Sequence, residues 1–108
     1  MGSTPLILGE ETWREFWASL ASVLRSYLAA HGLNSQKKWA FQMDGDQMLV
    51  DCGDKWLHLE RRGSQVIWRR EDETRGTVEF TAFGQLRGEA GEEEMDMAAE
   101  AWARELMA

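Results

Sequence analysis

Two hydrophobic periods divide the chain. Over "TWREFWASLASVLRSYLAAHG", Trp13, Phe16, Trp17, Leu20, Leu24, Tyr27 and Leu28 recur at steps of three and four. That spacing places them on one stripe of an amphipathic helix. Thr12 and Glu15 match a capping box, and Gly32 suits the left-handed residue just past a helix end. His31 falls where the helix dipole favours a cation. The pattern predicts a first helix over about 12–31.

From Lys38 the period changes to two. "WAFQM", "QMLVDC", "KWLHLE", "QVIWRR" and "TVEFTAF" are short runs rich in β-branched and aromatic residues. Gly45, Gly53 and Gly63, each with a polar neighbour, sit between the first four at the spacing of tight hairpins. Strands are predicted over about 38–43, 47–52, 55–61, 65–70 and 77–83. Two-residue turns at these glycines put Trp39, Phe41, Met43, Met48, Val50, Leu57, Leu59, Val66 and Trp68 on one side, joined by Val78 and Phe80. A second stripe, Met95, Ala99, Trp102 and Leu106, predicts a helix over about 92–107, with Glu92, Glu93, Glu94 and Asp96 in its first turn. The whole reads as an α+β fold in one domain over 1–108. It has an N-terminal helix, an antiparallel meander of about five strands and a C-terminal helix, the helices packed on one sheet face.

Length and charge narrow the function. A chain of 108 residues buries enough surface for one core without staples. The single cysteine, Cys52, forms no internal disulfide, which fits a reducing compartment. No apolar run approaches the roughly 20 residues of a membrane span, and the opening "MGSTPLILGE" lacks the basic start of a secretory signal. The expectation is a soluble cytoplasmic protein with no membrane partner. Its formal charge of −7 disfavours nucleic acid, whose phosphates call for cations.

Candidate chemistry is sparse. "MDGDQMLVDCGDKW" gathers four aspartates, but counting from Asp44 as the first calcium ligand puts Leu49 at position six and Lys55 at twelve, so no such loop forms. Asp44, Asp46 and Asp54 read as turn residues at opposite ends of one strand. Cys52 reads as a small core residue on the face away from His58, so the two make no nucleophile–base pair. Two histidines and one cysteine, far apart, make no zinc site. No catalytic residue, metal or cofactor is assigned.

Two surface features remain. "ERRGSQVIWRRE" places Arg61, Arg62, Arg69 and Arg70 on one hairpin near Trp56 and Trp68, the mixture of a single-stranded nucleic-acid platform. Acidic neighbours and the net charge oppose that use. Leu49, Trp56, His58, Ile67 and Phe83 point away from the predicted core, with Leu49 opposite His58 and Ile67 beside it. Such a ribbon fits a partner surface. The function expected is a non-enzymatic, acidic protein-interaction module, chaperone- or adaptor-like, homodimeric through the sheet face or edge. Its alternative is a small-ligand binder or enzyme with a pocket between the first helix and the sheet, near His58 or Trp39. A third reading is a weak nucleic-acid binder through the arginine hairpin.

Overall fold

Three hairpins share one local solution. Gly45, Gly53 and Gly63 each occupy the first central position of a two-residue turn with positive φ, followed by Asp46, Asp54 and Ser64. That conformation suits glycine and matches the twist of the strands it joins. The computed structural model describes residues 9–108. Helix α1 spans Glu10–Ser35. Seven strands follow: β1 (Ala40–Asp44), β2 (Gln47–Asp51), β3 (Trp56–Arg62), β4 (Gln65–Arg70), β5 (Arg75–Phe80), β6 (Gln85–Gly88) and β7 (Gly91–Glu94). Helix α2 spans Met95–Leu106. The strands pair antiparallel in chain order, so the sheet is an uninterrupted meander with β1 and β7 as its edges.

The register over the first four strands is the one the alternation predicts. Val50 faces Leu57, Met48 faces Leu59, and Leu59 faces Trp68. Inward side chains of β2 to β6 meet Trp17, Leu20, Leu24 and Leu28 of α1 and Ala99, Trp102 and Leu106 of α2 in one continuous core. The two helices also pack on each other, and His31 Nε2 lies 2.8 Å from Glu100 Oε2 across that contact. Both helices therefore cover one face of an α+β fold.

The differences lie at the ends of elements and have local causes. Helix α1 begins three residues earlier than the Thr12 capping box implies, with Gly9 as its N-cap and no side-chain cap. It also runs through Gly32 to a left-handed Gln36, whose N–H donates to the Gly32 carbonyl at 3.0 Å. Gly32 serves packing instead: a Cβ there would sit 2.8 Å from Trp39 Nε1. Gly76 does the same beneath Trp68, where a Cβ would lie 2.7 Å from the ring. The fifth strand is Arg75–Phe80, earlier than predicted, because the Thr81 hydroxyl accepts the amides of Phe83 and Gln85 and bends the chain away.

Strands β6 and β7 replace what looked like loop and helix start. The glutamates Glu92, Glu93 and Glu94 lie on β7, and α2 begins only at Met95. Glutamate has low strand propensity, and here the pairing of Leu86 with Glu93 and of Gly88 with Gly91 overrides it.

Candidate protein-interaction face

Alternation along seven strands sends every second side chain to the face opposite the helices. Near its middle this outer face carries Leu49 on β2, Trp56 and His58 on β3 and Ile67 on β4. Each is half-buried, and no described element lies over them. Leu49 sits directly opposite His58, and Trp56 opposite Asp51. Ile67 is opposite Glu60, and so lies diagonal to His58, which itself faces Arg69. The apolar members therefore run diagonally, Trp56 to Leu49 at one end and Ile67 across Glu60 at the other. A shallow hollow of about 320 Å³ is lined by Leu49, Asp51, Trp56, His58 and Arg69.

Phe83 does not belong to this ribbon. It stands at the tip of the β5–β6 turn and is 90% exposed.

His58 is held on both sides. Its Nε2 lies 3.1 Å from Gln47 Oε1, and Arg69 Nη2 approaches Nδ1 at 3.4 Å. Partial burial, reinforced by the Arg69 charge, lowers its pKa below the ordinary 6.5. The imidazole is thus neutral at pH 7, able to offer one donor and one acceptor. Beside it Arg62 pairs with Glu60, and farther along the sheet Arg87 reaches Glu92 at 3.1 Å and Glu79 at 4.0 Å. Trp56 is fixed at its backbone, where its N–H donates to Glu71 Oε1 at 3.0 Å.

The four arginines of the hairpin do not form one patch, because alternation splits them between faces. Arg62 and Arg69 point outward. Arg61 points inward and is buried: its Nη2 lies 2.6 Å from Glu10 Oε2 and 2.8 Å from Asp46 Oδ1. Its Nη1 also donates to the Gly63 carbonyl at 2.9 Å. Hydrogen bonds to Glu10 raise the Arg61 pKa, and the guanidinium in turn lowers that of Glu10. Arg61 is a clamp joining the start of α1 to two hairpin tips. Arg70 lies 5.0 Å over the Trp68 ring and pairs with Glu105 of α2. A fixed, internally paired arginine is a poor phosphate ligand, so the nucleic-acid reading loses two of its four cations.

Other chemistry is dispersed as well. Asp44 and Asp46 flank Gly45 at one end of β2, and Asp54 lies at the other. Among the described residues no group of three His, Cys, Asp or Glu side chains could hold a metal ion. Cys52 is buried on the inner face, where burial pushes its thiol pKa up, away from a reactive thiolate. His58 is on the other face, out of its reach. The space near Trp39 is filled by its own contact with Gly32. An open groove of about 570 Å³ does run between α1 and β1, past Ala18, Ser22, Arg25, Phe41 and Met43.

Among the described residues no helix is long and apolar enough to cross a membrane. No family model matches the chain, and no curated protein or solved structure is significantly similar to it.

Proposed function

We propose that the protein is a non-enzymatic, self-associating interaction module, chaperone- or adaptor-like, whose outer sheet face receives a segment of a partner polypeptide. The observation that carries the reading is the position of Trp56. It lies with Leu49 and Ile67 on the face that the helices leave bare. A tryptophan in such a place is a common energetic anchor. The occupant is an apolar segment flanked by basic residues. A chain of charge −7 attracts such a segment over distances of about a Debye length, ~8 Å at physiological salt. Asp51 stands exposed opposite Trp56 to meet its cations.

Reduced, alkylated lysozyme is a suitable probe, being unfolded, basic and apolar in patches. Labelled probe should bind the wild-type chain and gain anisotropy. Trp56→Glu should weaken binding at least tenfold, roughly 1.4 kcal/mol, because a charge replaces the anchor. Its circular dichroism should match wild type, since Trp56 lies outside the core. Equal binding by both proteins, or none by wild type, overturns the reading. So does binding that appears only after removal of residues 1–8, which would assign the ribbon to the chain's own apolar start.

A further inference from the structure

An open sheet has two edges, and the chain treats them differently. At β7 all four residues are exposed and three are glutamates, so a second copy docking there would set carboxylates against carboxylates. At β1 the sequence is Ala-Phe-Gln-Met-Asp, with one charge at its far end. An edge this lightly protected is a template for another strand.

The free hydrogen-bonding groups of β1 can be named. The Cys52 amide donates to Lys55 and the Arg61 amide to Asp46, each at 2.8 Å. Even-numbered residues of β2 are therefore turned toward β3, and Gln47, Leu49 and Asp51 toward β1. Their partners Asp44, Gln42 and Ala40 are turned inward. The amides and carbonyls of Phe41 and Met43 are left facing outward.

We propose that a second copy of this chain pairs antiparallel with β1 about a two-fold axis through Gln42, making one continuous sheet of both copies. The register is self-complementary. Phe41 of one copy falls opposite Met43 of the other, in hydrogen-bonded pairs that satisfy all four outward groups on each strand. Both side chains lie on the helix side, where Met43 is 44% exposed and Arg25 stands 5.4 Å over the Phe41 ring. Pairing closes the mouth of the groove beside α1. The charges agree as well: Lys38, two residues before β1, and Asp44, at its end, are exposed and make no ion pair among the described residues. Antiparallel pairing brings each Lys38 diagonal to the other copy's Asp44, within reach of its long side chain. Such an interface is isologous, so it closes at two copies.

This inference rests on the proposed function only for what the dimer is for. Two outer faces side by side would make a bivalent platform, with avidity for a partner carrying two segments.

The test uses the full chain and sedimentation velocity over a concentration series. Wild type should be a dimer. Met43→Pro removes an edge amide that the monomer does not use, a place where a sheet tolerates proline. It should be monomeric, with unchanged circular dichroism and unchanged binding of labelled lysozyme per chain. Lys38→Asp and Asp44→Lys should each weaken the dimer about tenfold by opposing like charges, and the double exchange should restore it. A wild-type monomer at millimolar concentration overturns the proposal. So does a dimer that survives Met43→Pro, or one that Trp56→Glu dissociates. Loss of lysozyme binding with the dimer intact strikes only the outer-face reading.

Discussion

The two faces of this sheet are written in alternate letters of the same strands, yet they are built on different principles. On the inner face Met48, Val50, Leu57, Leu59 and Val66 are each no more than 1% exposed, and the buried charge there, Arg61, has its donors engaged. On the outer face apolar side chains are only half-buried and charges pair loosely near water. A residue's face therefore says more about its energetic weight than its type does, which sharpens into paired substitutions.

The largest contrast is between two aliphatic residues on neighbouring strands, one register position apart. Leu59→Ala should cost about 3–4 kcal/mol, since it opens a cavity in a core with no slack. Ile67→Ala, on the other face, should cost under about 1 kcal/mol, because its surroundings already include water. Urea unfolding of both variants measures this directly. Equal costs would mean that something covers the outer face.

The arginines give the next contrast. Arg61→Ala removes a side chain that is 1% exposed and frees Glu10, Asp46 and the Gly63 carbonyl together. Breaking a buried ion pair costs ~3–5 kcal/mol when the orphaned charge stays buried. Here both carboxylates are about half exposed and can be rehydrated, so about 2–3 kcal/mol is expected. Arg69→Ala should fall within ~0.5 kcal/mol of wild type. A neutral Arg61→Ala in thermal melts would show that α1 is not anchored through Glu10.

What was legible beforehand follows the same division. The register of β1 to β4 could be read because three Gly-containing turns and a strict alternation agree, and each checks the others. Phe80 and Val78 on β5 were legible from their alternation alone, since no such turn fixes that strand's ends. Strands β6 and β7 were not, because a four-residue strand reading Gly-Glu-Glu-Glu carries no alternation and imitates the acidic first turn of a helix. Gly88 and Gly91, three apart with Leu86 just before, were the only hint of a hairpin. Phe83 was misplaced because the Thr81 hydroxyl bond that ends β5 is a local event without periodicity. The outer ribbon was legible as a set of residues, whereas the pairing of Arg61 with Glu10 was not, since nothing in a sequence ties positions 51 residues apart.

The smallest effect tests the electrostatics of the outer face. His58 is partly buried beside Arg69, and both conditions lower its folded-state pKa below 6.5. In the unfolded chain its pKa is ordinary, so between the two values the unfolded state binds more protons. Stability then rises with pH through that window and is lost as pH falls from about 6.5 toward the folded pKa. Above 6.5 both states are neutral and His58 contributes no slope. Gln47 accepts or donates at the other ring nitrogen, and Glu60, the nearby acid, opposes the shift only partly. His58→Gln keeps a polar partner for Gln47 and removes the titration. Melting temperatures of wild type and variant should agree at pH 8 and differ at pH 5.5, the wild type losing about 1–2 °C more. A wild type that loses no more than the variant would mean that Arg69 swings away in solution and that His58 titrates as it would in water.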